Sequence, residues 1–335
     1  MKSSLARVAA VVVLLAAVTV LAGPSSRAAQ PGTGVEFYLL QDDKMDFEKA
    51  RAKPLADLAL RSQPWVAAAD IERYDWSTHC VCLKKPVAVP LAPGQKHVLL
   101  RGTPLVVVAD GQRCYLAALW SPASSFLPEG SVAIIDLWGS RVERIDISLH
   151  GFLRPGETAT DVRADPRVMK ALQGRGQFHA GLECLLDKVR VERKGDASTV
   201  VYTYTLRNLD DDNLYVIDPQ RIEPAFFHDF QNGVSGVDVD DGTVFRWPNP
   251  RQGGPQAAPW GKADAGWFSQ LNKGEQMTRT VAMDPMPRIF AGKYRCQFSF
   301  GSGGYSQLRN EQLVRSDGRL WLGRITTPGV EVTVK

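Results

Sequence analysis

The chain has 335 residues, of which 44% are hydrophobic, 23% are charged and 9% are aromatic. These proportions are typical of a globular protein and exclude disordered, collagen-like and coiled-coil chains. The formal net charge is +4, but three cations lie in the first 28 residues, and the remainder holds 37 Lys and Arg against 36 Asp and Glu. A nearly neutral product has no electrostatic basis for binding nucleic acid or an anionic membrane.

Residues 1–28 have the pattern of a secretory signal peptide. Lys2 and Arg7 precede an apolar stretch at 8–21, and small residues surround positions 26–28. The stretch is shorter than the roughly 20 residues that span a bilayer. We therefore expect an exported protein of the periplasm or cell surface with no transmembrane segment after signal removal, and an uncleaved anchor is the alternative.

The next part of the chain, residues 34–150, mixes helical and strand periodicity. Residues 35–40 predict a strand, 47–60 a helix and 69–74 a second short helix. The period then changes to two, and β-favouring runs predict strands at 78–83, 105–109, 114–120, 132–137 and 142–149. Asp110-Gly111 between two of these runs predicts a tight hairpin. This pattern indicates an α+β domain with an antiparallel sheet.

Residues 151–182 are predicted to connect this domain to a second one. Asp165 and Pro166 are a typical N-cap and first residue for a short helix that ends near 172. Beyond the connector, short strands are predicted at 188–193, 199–207, 214–217, 277–282, 294–300, 320–325 and 330–334. Seven short strands predict an all-β sandwich over residues 183–335.

Two resemblances add to this interpretation. The strand that ends at Asn208 and the Gly292-Lys293-Tyr294 opening of a later strand give residues 183–335 a likeness to the Ig-like modules of bacterial exported proteins. That resemblance implies an Ig-like β-sandwich but no single function. Residues 102–111, with 69–71 and 121–125, give residues 35–140 a weaker resemblance to the periplasmic head domain of the SecD translocon subunit. The head domain of that family is non-catalytic and handles extended polypeptide, so the resemblance implies an α+β domain that binds and does not catalyse.

The sequence His79-Cys80-Val81-Cys82 contains residue types that bind metals. On a strand, Cys80 and Cys82 share one face and His79 points to the other, so one ion would receive two of these ligands at most. The sequence has no second Cys and His cluster. We therefore expect no metal here, and a half-buried strand in which one cysteine forms a disulfide.

The acidic turns at 210–213 and 238–242 are rich in the oxygen ligands that calcium prefers. Neither turn has the spacing of a calcium-binding loop. Asp and Asn also occur in turns because their side chains bond the nearby backbone. We expect solvated turns, and Asp210, Asp212 and Asp240 are the ligands in the calcium alternative.

The histidines at 79, 97, 150, 179 and 228 do not lie in a catalytic motif. The pair His228-Asp229 has the residue types of a general base and its orienting group. Aromatic residues on both sides of the pair predict instead that His228 is half-buried and structural. We expect a protein that is not an enzyme and has no cofactor.

Aromatic residues in the second domain are the candidate ligand contacts. Trp247 and Trp260 lie in a loop at 246–266 that holds four prolines and four glycines, and Trp267 and Tyr305 complete the set. Exposed aromatic rings stack on sugars or clamp peptides. The alternative is that these rings fold back and seal the core.

Five cysteines in an exported chain predict disulfides and one unpaired thiol. We expect Cys184 to pair with Cys296, because both lie at or near strands of the predicted sandwich, and Cys114 to pair with Cys80 or Cys82. Cys80 and Cys82 are not expected to pair with each other. Residues two apart on a strand have Cα atoms about 6.5–7 Å apart, at or beyond the usual disulfide span.

Together these patterns predict an exported, non-catalytic binding or interaction protein of the cell envelope, with a protein or glycan partner. One alternative is a hydrolase with an active site at the domain junction that uses His228 and a carboxylate such as Asp229. Another alternative is a structural envelope component.

Overall fold

The computed structural model of the protein describes residues 33–90, 102–120, 132–136, 141–150, 161–222, 227–228, 232–245, 265–283, 285–301 and 317–335. The predicted signal peptide at 1–28 lies outside this part of the chain. The fold is mostly β, with several antiparallel sheets and few helices. No helix of the described residues is both long enough and apolar enough to cross a bilayer.

The first half of the chain forms one eight-stranded sheet. Its strands are β1 (Val35–Leu39), β2 (Ile71–Asp75), β3 (Cys80–Ala88), β4 (Thr103–Ala109), β5 (Gln112–Trp120), β6 (Val132–Asp136), β7 (Arg141–His150) and β8 (Phe178–His179). They lie in the order β1-β4-β5-β6-β7-β3-β2-β8. Neighbours pair antiparallel except for β5 with β6 and β2 with β8, which are parallel.

Helices cover both faces of this sheet. Helix α2 (Pro166–Gly174) buries Val168 and Leu172 in the core on one face. Helix α1 (Phe47–Arg51) places Ala50 in the core on the other face. Short 3-10 turns at Leu55–Asp57, Ala68–Asp70 and Val162–Ala164 complete the helical content of the described residues in this half of the chain. Because α2 packs on this sheet, the predicted connector contributes to the first core.

Local sequence explains most of these elements. Asp110 and Gly111 both have positive φ, 46° and 78°, and join β4 to β5, which confirms the predicted hairpin. Helix α1 ends at Arg51, well short of the predicted residue 60, because Pro54 cannot continue a helix. The predicted helix at 69–74 was wrong. Its residues form a 3-10 turn and then β2, whose pairing with β3 outweighs their local helical spacing.

The second half of the chain contains twelve strands among the described residues. They are β9 (Leu182–Lys194), β10 (Ala197–Asn208), β11 (Leu214–Ile217), β12 (Gly233–Asp238), β13 (Val244–Phe245), β14 (Phe268–Leu271), β15 (Gln276–Ala282), β16 (Met286–Pro287), β17 (Gly292–Gly301), β18 (Arg319–Leu320), β19 (Arg324–Thr326) and β20 (Val330–Val334). In one sheet β10 pairs with β9, β15 and β16. The second sheet is β14-β11-β18, and in the third β17 pairs with β12, β19 and β20 while β12 also pairs with β13.

These three sheets share one core. Its largest members are aromatic, with Tyr204 ringed by Phe227, Phe298 and Phe300, and Trp321 stacked on Phe300. The predicted strand at 320–325 is two short strands in different sheets. Sequence periodicity did not predict β12 or β14, because β12 contains two glycines and β14 has only four residues.

Candidate functional site

The two halves meet where the turn between β2 and β3 enters the second half. The hydroxyl of Ser77 donates to Asp75 Oδ1 at 2.7 Å. The same Oγ lies 3.1 Å from the backbone nitrogen of Leu182 and 3.3 Å from Trp321 Nε1, which both donate to it. One partly buried serine therefore joins the first sheet to two segments of the second half.

Glycines permit this close approach. Gly181 has φ 76°, and a Cβ at this position would lie 2.2 Å from Ser77 Oγ. Gly323 has φ 123°, and its Cβ would lie 2.7 Å from the Cβ of Thr78. A side chain at either position would collide with the turn and strain the backbone.

A charge cluster centred on Arg319 lies beside this turn. The guanidinium donates to Asp75 Oδ2 at 3.2 Å, and it also donates to Asp210. Its Nε lies 3.4 Å from Asp212 Oδ2. His179 Nδ1 lies 3.0 Å from Asp210 Oδ1 and 3.4 Å from Asp212 Oδ2. Asp75 and Asp210 are almost fully buried, so the guanidinium compensates two carboxylates that water does not reach.

This cluster includes His179, Asp210 and Asp212, whose ligand atoms lie within 4.8 Å of one another. The arrangement differs from the calcium alternative, because His179 takes the place of Asp240, whose backbone N–H donates to Asp238 in the β12–β13 turn. Burial alone would raise the pKa of Asp210, but the His179 hydrogen bond and the Arg319 charge hold it well below its usual range. Arg319 already supplies the positive charge that a metal would bring, so the geometry is that of an ion-pair network.

The histidine candidates have structural surroundings. His228 is buried, its Nδ1 lies 2.8 Å from the carbonyl oxygen of Asn232, and its ring packs edge-on against Tyr202 and Phe227. These are the contacts of a core histidine, whereas Asp229, its predicted partner, lies outside the described residues. The hydrolase alternative places His228 as a base at the domain junction. In the structure His228 packs against residues of the second core, whereas Ser77 and its neighbours form the junction.

The sequence predicts that His79 lies on a strand. In the structure it lies in the turn before β3. Its φ is 52°, its Nδ1 lies 3.0 Å from the Tyr74 hydroxyl, and its Nε2 lies 3.9 Å from Asp161. Burial and the charge of Arg163 lower the pKa of His79 to about 4 despite Asp161. The ring therefore packs into the first core as a neutral group.

The structure holds all five cysteines as thiols. Cys184 and Cys296 are buried in the second core on β9 and β17, and burial raises the pKa of each to about 12. Cys114 is half-buried on β5, and neither predicted disulfide is formed here. The Cys184–Cys296 pairing and the Cys114 pairing with Cys80 or Cys82 stay predictions.

Of the four candidate aromatic contacts, the structure describes Trp267. It lies in a 3-10 turn before β14, packs partly buried against the second core, and its carbonyl accepts from the Asp218 backbone N–H. This position matches the alternative in which the ring helps to seal the core. Trp247, Trp260 and Tyr305 lie outside the described residues.

An open groove lies beside β1, in the first half of the chain. Its volume is about 650 Å³, and the sequence analysis did not single out its residues. It is lined by both apolar and polar residues: Leu39, Gln41, Leu60, Arg61, Ser62, Gln63, Pro64, Trp65 and Pro90. The signal that could have found it is a tryptophan within the polar, proline-containing run 61–65.

The walls of this groove are fixed by hydrogen bonds. Trp65 Nε1 donates to the carbonyl oxygen of Ala88 at 2.9 Å, which ties the indole to β3. Arg61 Nε donates to the carbonyl oxygen of Leu40 at 3.3 Å. The backbone N–H groups of Arg61 and Trp65 donate to Leu39 and Phe37, so residues 62–64 project between two anchored positions.

Comparison with known proteins adds no family to this description. No protein-family model matches the chain, and no curated protein matches it.

Proposed function

We propose that this chain is an exported, non-catalytic binding protein of the cell envelope whose first half binds an extended polypeptide in the groove beside β1. The observation that carries the proposal is the preformed groove itself, with its fixed indole and guanidinium. The signal-peptide pattern supports export, and the resemblance of residues 35–140 to a polypeptide-handling head domain supports the ligand class.

An extended polypeptide suits the lining of the groove. Its side chains alternate between two faces, so one face can pack on Trp65, Pro64 and Pro90 while backbone groups bond to Gln41 and Gln63. Because Trp65 and Arg61 are already held by hydrogen bonds, little side-chain entropy is lost on binding. A groove that is open along its length also accepts a chain without requiring a free end.

We assign the second half an Ig-like sandwich that carries the binding unit. Three sheets around one aromatic core support this fold, and the Arg319 cluster supports a fixed relation between the two halves.

A glycan ligand is the second candidate, favoured by Trp65, since indole faces also stack on sugar rings. A purely structural role requires no ligand in the groove.

Binding of an unfolded polypeptide separates these candidates. The probe is reduced, carboxymethylated α-lactalbumin labelled with a fluorophore, with folded α-lactalbumin as matched control and a soluble peptidoglycan strand as the glycan arm. We expect saturable binding of the unfolded chain alone. Trp65→Ala should weaken it about tenfold, the loss of one well-packed anchor. The matched variant Phe290→Ala, at an exposed aromatic of the second half, should not change it.

If only the peptidoglycan strand binds, the ligand is a glycan and not a polypeptide. Binding of no probe would leave the structural role. Equal effects of Trp65→Ala and Phe290→Ala would remove the groove from the account.

A further inference from the structure

Three neighbouring strands of the first sheet place two thiols among four charged side chains. In the register of β2, β3 and β7, residues directly opposite one another form two rows. The rows are Arg73–Cys82–Arg144 and Asp75–Cys80–Asp146. Opposite residues and residues two apart on a strand share one face of a sheet. Cys80 and Cys82 therefore lie side by side, with cations flanking one and carboxylates flanking the other.

The two thiols are neighbours on one face of the sheet. Both are buried on the same face of β3, Cys80 at 1% exposure and Cys82 at 9%. The two arginines opposite Cys82 favour a negative charge on its sulfur, and the thiolate is the form that binds metals.

A disulfide between them fits this strand poorly. Cα atoms two apart on a strand are about 6.5–7 Å apart, whereas most disulfides need less than about 6.8 Å and a sulfur–sulfur bond near 2.05 Å. A linear sulfur–metal–sulfur unit instead separates its sulfurs by about 4.6 Å, twice the bond of about 2.3 Å that a thiolate makes to zinc. Parallel side chains on one strand face suit the longer spacing.

We propose that Cys80 and Cys82 bind one soft monovalent cation, Cu(I), as a two-coordinate bis-thiolate site. Binding releases two protons: two S–H bonds break, two S–Cu bonds form, and no electron is transferred. The complex carries one negative charge. Arg73 and Arg144, directly opposite Cys82, supply the positive charge that stabilises it.

The charges around the site favour Cu(I) over Zn²⁺. Zinc with two thiolates is neutral and needs two further ligands. The nearest carboxylates are engaged, Asp146 with Arg144 at 2.8 Å and Asp75 with Arg319 at 3.2 Å. Soft thiolate ligands are also those that Cu(I) prefers. This site differs from the four-ligand site that the sequence analysis considered, because it needs no third or fourth ligand.

Two further observations concern how an anionic copper complex would be stabilised and how the copper ion would reach the thiols. The buried Nε of Arg73 has no hydrogen-bond acceptor in the described part of the chain, so it can donate to a sulfur of the complex. On the β7 side, the side chain of Asp146 is 45% exposed and that of Arg144 is 19% exposed. The face that carries the thiols is therefore partly exposed to solvent along β7, and an ion would approach across this face.

The test is an anaerobic titration of the full-length, reduced mature chain with Cu(I) in acetonitrile against a chromophoric Cu(I) chelator. We expect about one copper per chain and an X-ray absorption spectrum with two sulfur neighbours. Cys80→Ser with Cys82→Ser should abolish binding, whereas the matched pair Cys184→Ser with Cys296→Ser should retain it. Arg144→Ala should weaken it about tenfold or more, because the anionic complex loses a cation.

Thiol labelling in the wild-type chain keeps the test independent of whether the variants fold. Over prolonged labelling with N-ethylmaleimide, followed by peptide mapping, copper should slow the modification of Cys80 and Cys82 relative to the copper-free chain and leave that of Cys114 unchanged. Copper that protects other cysteines, zinc that binds with four ligands, or a Cys80–Cys82 disulfide in the purified protein would each overturn the proposal.

Discussion

Arg319 in β18 and Asp75 in β2 are 244 positions apart in the chain, yet two guanidinium N–H groups of Arg319 lie 3.2 Å from one oxygen of the Asp75 carboxylate. The same guanidinium also pairs with Asp210, so one cation compensates a buried carboxylate from each half. The junction is therefore a buried ionic contact, and its energy depends on all members being present.

Replacing the central cation should destabilise the junction strongly. Arg319→Met keeps the length of the side chain but leaves Asp75 and Asp210 buried without their counter-charge, which we expect to cost about 3–5 kcal/mol. Urea unfolding measures the loss. The control Arg295→Met removes a surface pair with Glu331, whose partners are 63% and 68% exposed, and should change stability by less than about 1 kcal/mol. Similar losses for both variants would contradict a buried junction.

The glycine at the start of the second half gives a steric test of the same contact. Gly181→Ala and Gly195→Ala both place a side chain at positive φ, 76° and 62° respectively, so both incur backbone strain of about 1 kcal/mol. Only the Gly181 Cβ collides with Ser77, at 2.2 Å, whereas nothing lies within 4 Å of the Gly195 Cβ. We expect Gly181→Ala to cost about 1–3 kcal/mol more in thermal or urea unfolding. Equal losses would show that the turn is not held against Gly181.

Hairpin and helix-cap chemistry made part of this fold predictable from sequence. Asp110-Gly111 forms its hairpin, and Asp165 caps α2 by accepting from the Arg167 backbone N–H at 2.9 Å. The junction was not predictable in this way. Ser77 and Arg319 have no local pattern, because their partners across the junction are over 100 residues away. The positive φ of His79 follows from the tertiary contacts of its turn.

The candidate sites likewise combine features that the sequence indicates with features that depend on tertiary contacts. Residue type drew attention to Cys80 and Cys82, but only the pairing of β3 with β2 and β7 shows that arginines flank one thiol. Trp65 was missed because a single tryptophan carries no periodic signal. Its hydrogen bond to Ala88 depends on how residues 60–66 cross the sheet edge.

Acid pH should reveal a second buried ion pair. Asp218 is 1% exposed and accepts from Arg279 at 2.7 and 2.8 Å and from the Ser269 hydroxyl at 2.5 Å. Burial alone would raise the pKa of Asp218, but these bonds hold it below its ordinary value. Because the pKa of Asp218 is lower in the folded chain, its ionised carboxylate stabilises the fold at pH values above the unfolded pKa of about 3.9. This stabilisation is lost as the pH falls through the folded pKa.

Asp218→Asn measures this contribution. The variant should be less stable than the wild type by about 1–3 kcal/mol at pH 7, the value of a hydrogen-bonded charge, and the gap should narrow as the pH falls below about 4. Chemical unfolding at a series of pH values gives both curves. Asp211→Asn, at a side chain that is 90% exposed, is the control and should follow the wild type. A stability difference between the two proteins that widens in acid would contradict a lowered pKa of Asp218 in the folded chain.

A photo-crosslinker in the groove tests the central claim that the groove beside β1 binds an extended polypeptide. Benzoylphenylalanine replaces Gln63 in one protein and Phe290 in another, so that neither change removes a hydrogen-bonded wall of the groove. After irradiation with carboxymethylated α-lactalbumin, the account predicts a crosslinked product from the Gln63 position, lost with excess unlabelled chain, and none from the Phe290 position. Crosslinking from Phe290 alone, or equally from both, would contradict it.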